Sequence, residues 1–244
     1  MTAKLIHLDE GYMFGLGAFE TIAVESNHCV LLKEHLSRLQ KAIKFFQIRQ
    51  KVTEQEVFQY LENRLMEHSV LKIMVSAKNI IFTTRQNPYG EEHFQKGFTL
   101  GFSDVRRNET SPLTYHKTFH YGDCLMEKRA AQEKGWDEPV FLNTKGEISE
   151  GATTNIFFVK DGIIVTPPIF SGLLNGILRQ YVLSRENVVE RIILADEVPT
   201  FDECFITNSL MGIMPVRQFG KTLFPERTVA TRLHERYRQE KVTI

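Results

Sequence analysis

The chain has little of what holds a fold together from outside its core. Its 244 residues include three cysteines, Cys29, Cys124 and Cys204. They lie far apart, without CxxC or Cys/His ligand spacing, which argues against a disulfide framework or a zinc site and leaves buried or idle thiols. No apolar run approaches the ~20 residues of a membrane span, and Met1-Thr-Ala-Lys-Leu-Ile-His-Leu-Asp-Glu10 lacks the apolar centre of a signal peptide. An excess of one charge is missing as well. Lys+Arg and Asp+Glu both number 30, so no global field attracts nucleic acid or an anionic membrane, and an anionic ligand has to be caught locally. The expectation is a cytoplasmic protein with no nucleic-acid or membrane partner and no bound metal. A hydrophobic content of 42% is ample for a core, in one large domain or two small ones.

Periodicity predicts strands at Ala18–Val24 and Val30–Leu32, then a helix from Lys33 to Phe46 with Leu36, Leu39, Ile43 and Phe46 on one stripe. A second helix is expected from Thr53 to Glu67, carrying Val57, Leu61 and Leu65, with Thr53 and Glu56 in capping-box form. Strands follow at Val70–Val75, Ile80–Thr84 and Phe98–Phe102. The polar, proline-ended stretch Arg106–Pro112 then places a domain boundary at about residue 112. Beyond it the pattern predicts a helix from Asp123 to Lys134 closed by Gly135, and strands at Pro139–Leu142, Asn155–Val159 and Ile163–Thr166. Lys160-Asp-Gly162 reads as a hairpin turn, Gly176–Glu186 as a helix, Val188–Leu194 and Glu203–Thr207 as strands, and Thr228–Gln239 as a final helix.

Chemistry concentrates in Glu150-Gly-Ala-Thr-Thr-Asn155-Ile-Phe-Phe, followed by Thr166-Pro-Pro and Leu174-Asn-Gly-Ile-Leu-Arg179. Polar groups set between apolar strands are how a carboxylate and an amide are held in a pocket. This stretch resembles the signature of the class IV aminotransferases, the D-amino-acid-aminotransferase-like enzymes that use pyridoxal 5′-phosphate. The resemblance extends over nearly the whole chain. It implies an α+β fold: a small N-terminal α/β domain, residues 1–112, and a larger cofactor-binding domain, 113–244, with a β-barrel-like core flanked by helices. It further implies a homodimer.

Such a cofactor needs a lysine to bind it, an acid for its pyridine nitrogen and donors for its phosphate. By resemblance Lys117, in Tyr115-His-Lys-Thr-Phe-His-Tyr121, is the Schiff-base lysine. A lone lysine is ordinarily a solvated amine, but one beside aromatic rings and His116 is in surroundings that lower an amine's pKa. Glu150 matches the pyridine-nitrogen acid, and Asn155 is expected to bond backbone near the ring. Arg38, in Glu34-His-Leu-Ser-Arg38, matches the phosphate arginine, although an Arg on a helix is normally an exposed ion-pair partner. Backbone amides of Ile177 and Leu178 at a helix start, with the Ser209 hydroxyl, complete the phosphate set. His35 reads as packing or capping, and His116 and His120 have no assigned role. Gly15-Leu-Gly-Ala-Phe-Glu20 imitates part of a dinucleotide loop but precedes a strand and lacks the third glycine. It is similar instead to the family's Phe-Gly-x-Gly-x-Phe-Glu-Thr segment.

The reaction is the less determined part, because one scaffold carries both transamination and lyase chemistry. Asn208-Ser-Leu-Met-Gly-Ile-Met-Pro-Val216 and Arg106–Lys117 are similar to segments of the aminodeoxychorismate lyase subgroup. That likeness implies 4-amino-4-deoxychorismate as substrate and 4-aminobenzoate and pyruvate as products, for folate synthesis. Arg106, Arg107 and Arg85 are the candidate partners for substrate carboxylates. The alternatives are an aminotransferase of branched-chain or D-amino acids and a catalytically silent binding protein on the same fold.

Overall fold

The computed structural model describes residues 5–62, 64, 66–241 and 243. The chain divides into two units: one holds the described residues up to Asn87 with His116–Tyr121, the other Pro88–Tyr115 and Gly122–Lys241. The division thus comes after Asn87, upstream of the expected position near 112. The reason is that the strand beginning at Phe98 continues to Arg107 within the larger unit's sheet, so the polar Arg106-Arg107 pair is strand rather than linker.

In the smaller unit, α1 (Glu10–Phe14) precedes β1 (Ala18–Glu25), β2 (His28–Cys29), α2 (Leu32–Phe45), α3 (Glu54–Leu61), β3 (His68–Val75) and β4 (Ile80–Gln86). The strands make an antiparallel sheet in the order β2-β1-β3-β4. Side-chain alternation along each strand separates two faces. Ile22 and Val24 of β1 and Leu71, Ile73 and Val75 of β3 are buried against Leu39 and Ile43 of α2 and Val57 of α3. Each such side chain contributes about 2 kcal/mol. The other face carries the rows Phe19–Met74–Ile81 and Thr21–Lys72–Thr83.

Two expectations here change. Strand pairing ends at Cys29, and Leu31 adopts φ 55° to launch α2, so Val30–Leu32 is a turn and helix start rather than a strand. Helix α3 has its Thr53–Glu56 capping box but stops at Leu61, because the backbone carbonyls of Met66 and Glu67 accept from Asn27 and Ser26 and draw the chain into the sheet. Leu65, counted on its apolar stripe, lies outside the described residues.

The larger unit contains α4 (Glu91–Lys96), β5 (Phe98–Arg107), α5 (Gly122–Glu133), β6 (Glu138–Asn143), β7 (Ile148–Gly151), β8 (Asn155–Lys160) and β9 (Ile163–Thr166). It continues with α6 (Ile177–Arg185), β10 (Val188–Glu190), β11 (Glu203–Asn208), β12 (Gly212–Phe219), β13 (Thr222–Leu223) and α7 (Thr228–Glu240). Its nine-stranded sheet runs β10-β9-β8-β11-β12-β5-β6-β7, with β13 on β12, and curls into a half-barrel. Leu100, Val140, Ile156, Phe158, Ile206 and Met214 fill its centre. Strand β10 stops at Glu190, short of the expected Leu194, whereas β12 was not foreseen. Pro215 inside β12 obscures its strand pattern, since proline cannot donate to a ladder. The fold is α+β. Among the described residues no helix is long and apolar enough to cross a membrane.

Candidate functional site

In the smaller unit, Lys117 lies beside the start of β1. The Phe19 amide donates to the Lys117 carbonyl at 2.9 Å, the Phe119 amide donates to the Gly17 carbonyl at 2.9 Å, and Ala18 bridges Thr118. A Cβ on Gly17 would fall 2.4 Å from the Phe119 ring, so the glycine is what lets the two segments approach. That explains the glycine-rich run that imitates a dinucleotide loop. The Lys117 Nζ sits 4.5 Å from the Phe19 ring centroid and 5.4 Å from that of Tyr121. The two rings meet edge to face at 5.2 Å. An amine over aromatic faces keeps its cationic form partly compensated while water is thinned around it. His116 stacks on Phe45 at 4.4 Å, and burial pushes its pKa down. His120 packs against Gly15, where φ is 74°.

Behind Lys117 is a buried polar knot. Glu20 has no exposed surface; its Oε2 accepts from His35 Nδ1 at 2.6 Å and from Arg38 Nη2 at 2.7 Å, while Oε1 accepts from Arg38 Nε at 2.7 Å. Burial alone would raise the Glu20 pKa, but the Arg38 guanidinium and His35 hold it down at about 2. Burial depresses the pKa of His35, against the pull of Glu20, with Arg38 and Lys117 adding to the depression. His35 is therefore no helix cap: it is the second donor to Glu20, and the N-cap of α2 has no side-chain bond. Arg38, read as a phosphate ligand, has its fork on Glu20, its side chain 14% exposed, and Nη1 outside the fork.

In the larger unit, Glu150 is the last residue but one of β7 and is pinned from both sides. Oε2 accepts from the Leu174 amide at 3.1 Å and lies 3.5 Å from Asn155 Nδ2, whereas Oε1 is 3.1 Å from Arg107 Nη2. Asn155 also donates to the Leu174 carbonyl at 2.9 Å, so it ties β8 to the segment before α6. Arg107 lies over the Phe141 ring at 4.4 Å and donates to Cys124 Sγ at 3.2 Å. The loop after Glu150 has its own anchor: buried Glu138 accepts from Lys128, from the backbone and hydroxyl of Thr153, and from the Thr154 hydroxyl.

The features a phosphorylated pyridine needs are present beside this carboxylate. Helix α6 begins after Gly176 with no side-chain cap, leaving the first-turn amides of Ile177 and Leu178 without intrahelical acceptors. A Cβ on Gly176 would lie 2.0 Å from Asn155 Oδ1, so only glycine leaves that cradle open. Thr207 Oγ1 is buried without a hydrogen-bond partner. Asn208 Oδ1 accepts from the amides of Leu210 and Met211 at 2.9 Å each, shaping the turn that carries Ser209. These groups fit an anionic, aromatic cofactor.

Glu150, Asn155, Arg107, Ile177, Leu178 and Ser209 all belong to the larger unit, and Lys117, Arg38 and Arg85 to the smaller. Arg106 and Arg85 are exposed, and Arg85 Nη1 donates to the Gln86 carbonyl at 3.1 Å. Sequence reasoning passed over Glu20, Glu138 and Lys72. The first two are visible only through partners 15 to 18 and 10 to 16 residues away, a separation with no local pattern. Lys72 was hidden in an apolar strand, although a lone lysine at an alternate position of Val70–Val75 was a signal. Cys29, Cys124 and Cys204 are all buried; burial raises the Cys29 thiol to about 11 and the Cys204 thiol above its ordinary value.

Comparison with known proteins gives the arrangement a family. The chain is 29% identical over 238 residues to a Methanocaldococcus jannaschii protein provisionally named a branched-chain-amino-acid aminotransferase, covering 88% of this chain and 82% of that one. It is 25% identical over 236 residues to the aminodeoxychorismate lyase of Bacillus subtilis, covering 87% and 80%. The crystal structure of 4-amino-4-deoxychorismate lyase from Pseudomonas aeruginosa superposes with a TM-score of 0.88 at 25% identity, over 98% of this chain and 96% of that one. The model of the class IV amino-transferase family matches residues 17–219. The chain belongs to the class IV aminotransferases and is an enzyme of that pyridoxal 5′-phosphate-dependent family.

Proposed function

We propose that the protein is a 4-amino-4-deoxychorismate lyase, forming 4-aminobenzoate and pyruvate for folate synthesis. The observation that carries this reading is the likeness to the Bacillus lyase along 87% of the chain. The lyase-like segments Arg106–Lys117 and Asn208–Val216 support it.

Each residue then has a task. Lys117 Nζ would hold the cofactor and, as the free amine, would take the proton from the carbon bearing nitrogen and return one to the departing enol carbon. When bound, the cofactor supplies the electron sink for that carbon. Glu150 would meet the pyridine nitrogen, and Arg107, 3.1 Å from its Oε1, holds the carboxylate in place. The amides of Ile177 and Leu178, the Ser209 hydroxyl and Arg38 Nη1 grip the phosphate, while Asn155 fixes Leu174 and Glu150. A C–H bond and the C–O bond to the enolpyruvyl group break, the ring becomes aromatic, and the substrate's atoms divide between two products with no oxidant. Arg106 and Arg85 are offered to the substrate carboxylates. The working form is a homodimer, testable by sedimentation.

The second reading is an aminotransferase of branched-chain or D-amino acids, favoured by the likeness to the Methanocaldococcus protein. Purified enzyme is supplied with aminodeoxychorismate and no amino acceptor, and pyruvate is followed. Stoichiometric pyruvate supports the lyase. Its absence, together with amino transfer to 2-oxoglutarate, replaces the lyase with the aminotransferase.

A further inference from the structure

Helix α6 carries a buried cation at the end where a helix least favours one. Arg179 is the third residue of α6 and 1% exposed, and the first turn of a helix already holds partial positive charge on its free amides. The guanidinium reaches three separate segments. Nη1 donates to Asn175 Oδ1 at 3.2 Å, and Nη2 donates to the Pro167 carbonyl at 3.1 Å and to the Glu190 carboxylate. Among the described residues Glu190 is its one carboxylate partner, and that side chain is 41% exposed. Nε is buried with no hydrogen-bond partner.

Stability alone does not account for this placement. A guanidinium taken out of water at a helix start, with one N–H unsatisfied and its counter-charge partly in solvent, costs more than an apolar side chain of the same volume. What the arrangement supplies is position. Glu190 of β10 pairs with Thr166 of β9, so Pro167 and Glu190 stand on a fixed frame, and Arg179 ties Asn175 to both. Asn175 lies between Leu174, whose amide and carbonyl meet Glu150 and Asn155, and Gly176, the N-cap of α6. The chain leading into the helix is therefore anchored on the Glu150 side by Leu174 and on the β9–β10 side through Arg179.

We infer that Arg179 is a positioning residue that sets residues 174–176, so that the Ile177 and Leu178 amides are presented as one anion cradle at a fixed place relative to Glu150. The inference rests on those amides being the phosphate site, as proposed above, and it adds the residue that holds them there. Arg179 is enclosed and acts through Asn175. An anion in the cradle also offsets the positive charge gathered at the helix start.

The test titrates the full chain, as the parent and as Arg179→Met, Arg179→Lys and Asn175→Ala, with pyridoxal 5′-phosphate and with pyridoxal, which differ by the phosphate alone. The ratio of the two affinities reads the phosphate grip without turnover. Arg179→Met is expected to lower that ratio about tenfold or more, by weakening the phosphorylated form while pyridoxal changes by about threefold or less. Arg179→Lys keeps the charge but cannot bridge Asn175 and Pro167, so a similar loss is expected. Asn175→Ala breaks one bond, lowers the ratio by about threefold or more, and carries the test should Arg179→Met fail to fold. A parent-like ratio in Arg179→Lys overturns the assignment, because charge or packing would then suffice without the fork. A parent-like ratio in Asn175→Ala overturns it too, and a lowered melting temperature beside an unchanged ratio marks a purely structural role. A parent with no preference for the phosphorylated form removes the phosphate cradle and this inference with it. A parent that has the preference but releases no pyruvate removes the lyase reading alone, and the ratios of the variants still decide the role of Arg179.

Discussion

Two buried carboxylates, one in each unit, are treated in opposite ways. Glu20, in the smaller unit, is wholly enclosed, and both its oxygens are taken by Arg38 and His35. Glu150, in the larger unit, is nearly as buried at 6% exposure, yet it stands beside an uncapped helix start, an unpartnered Thr207 hydroxyl and a glycine with no room for a side chain. Burial therefore does not separate a structural acid from one proposed to serve a ligand. The difference lies in the neighbours: around Glu20 the donors face the acid itself, whereas around Glu150 hydrogen-bonding capacity is left over. Unspent polar capacity in a shaped, apolar surrounding is tolerated when a ligand completes it.

Substitutions can break that contrast. The largest effect is expected from Lys117→Ala, which should abolish the near-visible absorption of the bound cofactor and lower pyruvate release by about 10³-fold or more. Spectra and a coupled pyruvate assay measure both. Glu150→Gln should leave the fold intact and reduce kcat by roughly 10²- to 10³-fold, through loss of charge at the ring nitrogen. An unchanged kcat would move Glu150 into the same class as Glu20.

Glu20→Gln should act on stability, at about 2–4 kcal/mol, because it strands a largely buried guanidinium; urea unfolding measures it. The parent supplies the matching pH test. The Glu20 pKa is about 2 in the folded protein against 4.5 ordinarily, so the unfolded chain binds more protons between these values. Its stabilising contribution is complete above about pH 4.5 and is lost as pH falls through about 2. Gly176→Ala is milder: the new methyl displaces Asn155, costing about 1–3 kcal/mol and loosening cofactor binding in an equilibrium titration. The smallest effect belongs to Thr53→Ala, which removes the α3 cap for about 1 kcal/mol, seen in the melting temperature with no spectral change.

Much of this was legible in the residues. Leu39 and Ile43 on α2, the Thr53–Glu56 box, the Asp161-Gly162 turn with φ of 50° and 77°, and the strand at Asn155 all follow rules that operate within a few residues. The break at Leu61 did not, because it depends on hydrogen bonds that Met66 and Glu67 make with distant chain, nor did the end of pairing at Cys29, where Leu31 takes up φ 55° against the ordinary preference of a leucine. Likewise the residues at 117, 150 and 155 stood out as candidates by type and motif, while the partners of Glu150 came from Arg107 and Leu174, 43 and 24 residues away. The same limit hid the role of His35.

By itself the sequence determined the local elements, the absence of metal-ligand cysteine spacing, the glycines at 17 and 176 and the identity of the chemical groups, since propensity and side-chain chemistry are carried by each residue and its near neighbours. Only the tertiary structure decided that Arg38 grips Glu20, that Arg107 meets Glu150 and that Lys72 joins Lys117 over Phe19. Those outcomes depend on which strand faces and helix ends the packed core brings together, and that is a property of the whole fold.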